Sequence, residues 1–461
     1  MLRLFDTATG TVRPLDLREP GRVGMYVCGP TVYDLPHLGH GRYALVFDVL
    51  RRYLAYGGLA VRHVSNVTDI DDKVIARAAD EGRREGEVAA EYEARWWEAM
   101  DALDVLRPTE VPHATAYVPG MVDFVADLVG RGVAYETGDG VYLDVQAVPG
   151  YGLLAHQPLD SLRAGARVEE REEKRSPRDF VLWKKARRGE PSWGSPWGPG
   201  RPGWHTECVV MSLDLLGEDF DLHGGGQDLA FPHHENERAQ AVADGRRFAR
   251  HWVHNGWVTV DDVKMSKSLE NFVSLTDLLA RRDPRAYRLL VLRSHYRSPL
   301  EVTEVTIDDA EKGLARLDTV ARRFSLPDPL AGGQAVGADA GTDFDPHAVS
   351  RFAGWMDDDL DTPAALAGIF ELVSRANAAA DAGDGVGAIR VARTAAHLCG
   401  AMGLRLLPGD EPLDDRTSQL VAERDDARRT RDWARADAIR DELAADGWVV
   451  EDGPEGTALH R

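Results

Sequence analysis

At 461 residues the chain exceeds what one hydrophobic core usually organises, so roughly two to four domains are expected. Apolar residues at 43% and charged residues at 28% exclude a fibrous or disordered chain and fit a globular protein. A formal charge of −21 excludes indiscriminate adhesion to polyanions, so any nucleic-acid partner must be met by local basic patches.

No apolar run reaches the roughly eighteen residues of a membrane span, and residues 1–6 lack the basic and apolar parts of a leader. No membrane partner and a cytoplasmic location are therefore expected. Cys28, Cys208 and Cys399 are an odd number of cysteines spread over the whole length, which argues for reduced thiols and against a disulfide framework.

In chain order, residues 23–28 read as a short buried strand, followed by the Gly29-Pro30 turn and a loop to His37. A helix then begins, with Leu45, Val46, Val49, Leu50, Tyr53 and Leu54 at three- and four-residue spacing. Residues 59–64 supply the next strand and close a strand-helix-strand unit of nucleotide-binding type. Residues from about 110 to 200 break this rhythm with short strands, a charged stretch and a turn-rich segment, and are read as an insertion that splits the sheet. The strand-like residues 220–223, followed by Gly224 to Gly226, resume the α/β pattern. Beyond Asp283 the pattern is helical, and residues 327–346, rich in Gly, Ala, Asp and Pro, read as a linker. A second helical segment opens near Asp357, with Thr362 as N-cap and Pro363 in the first turn. One charged helix is expected from about Thr417 to Ala445, then a short strand and turn at 447–453.

Three groups of residues carry chemistry. His37 and His40 lie three apart at a helix start, where unpaired N–H groups and the positive dipole end favour an anion, and Gly39 lets a nucleotide approach the backbone. Lys264-Met265-Ser266-Lys267-Ser268 places two lysines on a Ser-rich loop able to neutralise a departing diphosphate, an interaction worth roughly 3 to 4 kcal/mol. Cys28, Cys208 and the pair His233 and Glu237, four apart on an expected helix, offer the thiolate, imidazole and carboxylate mixture that tetrahedral Zn²⁺ accepts. Spacing alone leaves plainer readings open: surface histidines at a turn, a solvated basic loop, and two buried cysteines beside a solvated His/Glu helix.

The two signatures, His37-Leu38-Gly39-His40 and Lys264-Met265-Ser266-Lys267-Ser268, resemble in order and separation the HIGH and KMSKS motifs of class I aminoacyl-tRNA synthetases. Together with residues 25–40, 66–73, 195–208 and 223–237, with 295–300 and 357–363, and with the tail at 439–457, the chain resembles the cysteinyl-tRNA synthetase family nearly end to end. That resemblance implies an α/β fold: a Rossmann-type parallel-sheet catalytic core with an insertion, then a helical domain and a small C-terminal anticodon-binding region. The implied boundaries are 1–110 and 216–270 for the two core halves, the second with the lysine loop, and 111–215 for the insertion. A stem-contact helical region at 271–325, a helical tRNA-binding bundle at 326–405 and the anticodon-binding region at 406–461 complete the order.

The implied activity is attachment of L-cysteine to tRNA(Cys) by way of an adenylate, with ATP and Mg²⁺ as substrate and one Zn²⁺ per chain, in a monomer. By the same resemblance His37, His40, Lys264 and Lys267 are catalytic, and Gly39, His40, Gly224, Gly225 and Lys267 meet ATP. Thr68, Trp204 and Asp228 meet the amino acid, and Cys28, Cys208, His233 and Glu237 hold the zinc that reads its thiol. A zinc that prefers a soft thiolate to a hydroxyl separates cysteine from serine better than shape, which separates near-isosteres by only about 1 to 3 kcal/mol. For tRNA, Arg424, Arg428, Arg429, Arg431 and Arg435 with Trp433 and Trp448 are candidates to meet an unpaired loop, although interleaved aspartates fit a salt-bridged helix equally well. Glu270 departs from the family pattern, placing a charged side chain where a permissive glycine follows the lysine loop. A cysteine ligase of the mycothiol pathway would share the core but lack the C-terminal region, and an RNA-binding paralogue without catalysis would not need intact His37, His40, Lys264 and Lys267.

Overall fold

Four parallel strands carry the molecule, in the spatial order His251–Asn255, Leu222–Gly226, Arg22–Val27, Ala60–Val64. The computed structural model describes residues 1–156, 173–260, 263–264, 274–331, 343–407, 414–453 and 456–460. Strands buried on both faces must be apolar or small throughout. Arg22–Val27 meets this with Val23, Met25, Tyr26 and Val27, all buried. Leu222–Gly226 meets it differently, running on through the glycines expected to lie beyond the strand. A Cβ on Gly224 would stand 2.3 Å from the Phe47 ring and one on Gly225 2.8 Å from His234, so only glycine lets helix and histidine lie this close to the sheet.

The helix Leu38–Tyr56 connects the strands Arg22–Val27 and Ala60–Val64 and buries Leu45, Val46, Phe47, Val49, Leu50 and Leu54. The insertion forms its own antiparallel sheet, Ala134–Glu136, Gly140–Leu143, Phe180–Lys185 and Gly200–Pro202 in that order, flanked by the helices Ala114–Gly130 and Trp204–Leu216. A second core around Trp183, Leu182, Phe220 and Met211 joins this layer to the end of the catalytic sheet. Past the lysine-loop region the chain becomes helical, with Pro284–Leu292, Glu304–Arg323, Pro346–Asp357, Thr362–Asp381 and Gly385–Ala401. Their apolar faces are continuous with the core under Leu38–Tyr56. Cys399 lies in this core, its thiol pushed by burial up to about 12.

Three local expectations change. Asp361, not Thr362, is the N-cap, accepting from the Ala364 N–H, and the helix begins at Thr362. The single charged helix is two, Asp415–Thr430 and Trp433–Ala445, broken where Arg431 takes φ 62° and Asp432 caps the next helix. Trp448 is no stacking platform: it is buried with Leu420, Ile439, Leu443 and Leu459 in a small separate core closed by the hairpin Val449–Gly453 and Gly456–His460. Five side chains are too few to leave an indole in water. Among the described residues no helix is long and apolar enough to cross a membrane.

One buried ionic knot ties the helical region to the catalytic core. Asp48 Oδ2 accepts from Arg52 Nε at 2.8 Å and from Arg288 Nη1 at 2.7 Å, and Oδ1 accepts from the Leu106 N–H at 2.9 Å. Arg288 also donates to the Leu103 and Met402 carbonyls, so three segments meet at one carboxylate. Burial would raise the Asp48 carboxyl, but the two guanidinium groups hold it below the ordinary range. Its stabilising charge is therefore present above the unfolded carboxylate range and is lost as pH falls through the folded value. Asp48→Asn strands two buried guanidinium groups and is expected to destabilise the fold by about 3 to 5 kcal/mol in chemical denaturation at pH 7, a difference that shrinks only as the pH is taken below the ordinary carboxylate range.

Candidate functional site

Cys28 is the first residue past the strand Arg22–Val27, its N–H held by the Gly224 carbonyl at 3.1 Å. Cys208 lies on the helix Trp204–Leu216, and Glu237 in the first turn of Glu235–Ala243. His233 sits in the irregular turn Ala230–His234, where Phe231 leaves helical geometry, yet the four-residue spacing still brings its Nε2 to 3.0 Å from Glu237 Oε1. One donor atom from each of Cys28, Cys208, His233 and Glu237 lies within 4.8 Å of every other, and all four residues are buried. Strand end, insertion helix and returning helix thus converge on one point.

The electrostatics of this point are those of a site built for a cation. Burial pushes the Cys28 thiol well up, and it donates to Glu237 Oε1 at 3.3 Å. A hydrogen bond from Cys28 holds Cys208 down to about 6 despite its burial. Burial pulls His233 down, but the Glu237 carboxylate and the Cys208 sulfur lift it to about 10. Burial would raise Glu237, and the His223 and His233 imidazoles bring it well below the usual carboxylate range. Two sulfurs, an imidazole and a carboxylate at this separation fit a tetrahedral transition metal and do not suit Mg²⁺ or Ca²⁺, which prefer all-oxygen shells.

A layer behind the four donors fixes their directions, and of its histidines sequence reasoning singles out only His234, as orienting the helix that carries Glu237. His205 Nδ1 meets His233 Nδ1 at 2.8 Å; burial keeps His205 neutral, so it accepts from His233 and turns Nε2 of His233 toward Glu237. His223 Nε2 meets the second Glu237 oxygen at 2.8 Å. His234 Nδ1 meets His254 Nε2 at 2.7 Å, and His254 in turn meets the Thr7 hydroxyl. A second grouping, Cys28, His223, His234 and Glu237, is also close enough for a metal: His223 Nε2 and His234 Nδ1 are engaged by Glu237 and His254, while His223 Nδ1 and His234 Nε2 are buried without a hydrogen-bond partner among the described residues. Asn66 Oδ1 accepts from the Gly29 N–H at 2.9 Å and from the Tyr26 hydroxyl, fixing the turn after Cys28. A Cβ on Gly29 would lie 1.6 Å from the Asn66 carbonyl, so glycine is required. His205 and His234 lie beside Cys208 and His233 in sequence, whereas Asn66, His223 and His254 are brought in from a distance by the fold.

The cluster opens into a cleft of about 610 Å³ whose lining includes Cys28, Cys208 and His233 at one end and His37, Gly39 and His40 at the other. Thr68, Trp204 and Asp228 line it as well. The Thr68 hydroxyl donates to the buried Glu207 carboxylate at 3.0 Å, and the Trp204 indole centroid lies 4.1 Å from that of His233. Gly226 borders the cleft, whereas Gly224 and Gly225 pack against Phe47 and His234. His37 is the N-cap of Leu38–Tyr56: its Nδ1 accepts from the His40 N–H, His40 Nδ1 accepts from the His37 N–H, and the rings stack at 3.6 Å.

Lys264 ends the short strand Val263–Lys264, which pairs with Val258–Val260 next to the cleft wall at Trp257 and Val258. Lys267 and Glu270, with Met265, Ser266 and Ser268, lie outside the described residues. In the C-terminal unit Arg424 and Arg428 pair with Asp452, Arg429 with Asp426 and Arg435 with Glu423, the salt-bridged alternative, while Trp433 is exposed.

Known proteins place this geometry. Residues 14–312 match the family described as tRNA synthetases class I (C) catalytic domain, 351–407 the DALR domain, and 410–458 the cysteinyl-tRNA ligase anticodon binding domain. The cysteine–tRNA ligase of Chromobacterium violaceum is 45% identical over 473 residues and that of Thioalkalivibrio sulfidiphilus 45% over 472, each match covering 100% of both chains. Methionyl-tRNA synthetase of Mycobacterium tuberculosis, solved with methionyl-adenylate, shares the fold at a TM-score of 0.59 and 16% identity, covering 83% of this chain and 89% of that one. A parallel sheet split by an insertion, and three consecutive matches that account for most of the chain, place it in the cysteinyl-tRNA synthetase family of class I aminoacyl-tRNA ligases.

Proposed function

We propose that this chain couples L-cysteine to tRNA(Cys) in two steps, and that Cys28, Cys208, His233 and Glu237 hold a zinc ion that selects the substrate by its thiol. The observation that carries the reading is the single cleft with the four buried donors at one end and the histidine-capped helix start at the other. The first step joins a carboxylate oxygen of cysteine to the α-phosphorus of ATP and releases diphosphate. In the second, a ribose hydroxyl of the tRNA 3′-terminal adenosine takes the aminoacyl group and AMP leaves.

Each residue has a part in this. With Nδ1 of His37 and His40 accepting a backbone N–H, the neutral rings carry their proton on Nε2, the atom suited to donate to phosphate oxygens as charge builds. Gly39 and Gly226 let the nucleotide lie close to the backbone, with Gly224 and Gly225 shaping the strand beneath. Lys264 and Lys267 neutralise the departing diphosphate. Trp204 walls the thiol end, and Thr68 and Asp228 meet the amino acid's polar end. Bound zinc supplies a soft Lewis acid that a thiolate satisfies and a serine hydroxyl does not. The C-terminal unit, with Trp433 exposed, meets the anticodon region of tRNA.

Charge counting supports the metal. With Cys28 and His233 protonated and Cys208 and Glu237 ionised, the site has the same net charge as the deprotonated side chains and a divalent ion have together. The ion replaces two protons one for two, with no new buried charge.

Purified protein should exchange diphosphate into ATP when L-cysteine is present and not with serine, and Cys208→Ser should lose zinc and lower kcat/KM by more than about 100-fold. No exchange at full zinc occupancy sinks the reading. Because binding displaces two protons near neutral pH, the apparent zinc Kd should rise about 100-fold for each unit of pH lost between pH 8 and 6.5, measured by competition with a chelator. Removing residues 408–461 should leave the exchange reaction within about twofold and raise the KM for tRNA at least about tenfold in aminoacylation.

A further inference from the structure

Arg42 lies two residues past His40 on the helix Leu38–Tyr56 and is 1% exposed. Among the described residues no carboxylate pairs with it. Its guanidinium is surrounded by main-chain carbonyls: Nη1 donates to Trp257 at 2.5 Å, and Nη2 to His295 at 3.3 Å, to Tyr296 at 3.2 Å and to Ser298. Burial pulls it down to about 10, so it stays charged at neutral pH. A buried cation without a counter-ion is costly, and four carbonyl dipoles offset that cost only while all of them point inward.

Those carbonyls belong to two segments, one of which makes a wall of the nucleotide cleft while the other packs directly behind it. Asn255, Gly256, Trp257 and Val258 line it, and Gly256 donates to the Tyr296 carbonyl at 2.8 Å. The Trp257 carbonyl also accepts from the Leu300 N–H at 2.9 Å, where Val258–Val260 pairs with Leu300–Glu301. Val258–Val260 in turn pairs with Val263–Lys264. An added Cβ on Gly256 would lie 2.5 Å from the Arg297 and Ser298 carbonyls, so the two segments pass in direct contact. One guanidinium therefore joins the helix that starts at the signature histidines to the strand pair that leads into the signature lysines.

We infer that Arg42 is a positioning residue that fixes the spacing between the two phosphate-handling halves of the ATP site, His37 and His40 on one side and residues 255–260 with the paired strand Val263–Lys264 on the other. This rests on the adenylate-forming reading above. It acts on ATP and leaves the thiol end untouched, because none of its partners contacts Cys28, Cys208, His233 or Glu237.

The test compares Arg42→Gln and Arg42→Lys with Tyr53→Phe, which removes a 3.0 Å hydrogen bond to Asp357 from the same helix, eleven residues past Arg42 and away from the carbonyl cluster. In zinc-loaded full-length enzyme, Arg42→Gln should raise the KM for ATP and lower kcat of diphosphate exchange, together at least about 30-fold in kcat/KM. The KM for cysteine and the zinc content should stay within about twofold. Arg42→Lys should fall between, since an ammonium keeps the charge but reaches fewer carbonyls, and Tyr53→Phe should change thermal stability and not the KM for ATP. The inference is overturned if the ATP and cysteine constants move together, if Tyr53→Phe reproduces the ATP defect, or if both Arg42 variants fail to fold while Tyr53→Phe folds. Absence of exchange in the unsubstituted enzyme would instead overturn the reading of the reaction.

Discussion

Three groups able to carry negative charge, Cys28, Cys208 and Glu237, share a fully buried point with His233 inside a sphere of a few ångströms. In a medium of low dielectric such a set cannot stay ionised without compensating positive charge, and the surroundings are arranged around that constraint. His223 and His205 occupy the outward valences of Glu237 and His233, and Asn66 and Gly29 hold the turn that presents Cys28. The cost of assembling the donors is met by packing far from them, in the two cores that meet at the end of the catalytic sheet.

The same sheet places the nucleotide end. Glycine at 224 and 225 brings Phe47 and His234 against the strand, and so brings the histidine-capped helix and the metal-end histidines to opposite flanks of one cleft. The helical region does not float beside this core. Asp48, Arg52 and Arg288 lock its first helix to Leu38–Tyr56, and Asp359, in a left-handed conformation at φ 58°, accepts from Phe5, Tyr296 and Arg297. The helical region is thereby joined to the catalytic core by buried polar contacts as well as by the shared apolar core.

Much of the site was legible because its chemistry uses rare residue types. Cysteine is scarce here, and a His-Glu pair four apart on a helix start keeps its geometry even when, as at Phe231, the helix is irregular. Periodicity gave the strand-helix-strand opening, since apolar spacing reports burial directly. It misplaced the glycine-rich strand, because glycines carry no hydrophobic signal, and it merged the last two helices, because a left-handed arginine at position 431 looks like any other helical residue in sequence. The arginines and Trp448 of the C-terminal unit could not be sorted from sequence: charge pattern does not say which side chain finds a partner inside its own domain.

By itself, then, the sequence determined the identity of the chemical groups, the resemblance that joins them, and the order of the domains. Only the tertiary structure decided which groups meet. The convergence of Cys28, Cys208, His233 and Glu237 joins positions more than two hundred residues apart, and the histidines behind them, like the carbonyl nest around Arg42, are formed by segments with no local reason to be neighbours. Local propensity acts over a few residues, whereas these contacts are set by how strands order in a sheet and how close glycine allows its layers to come.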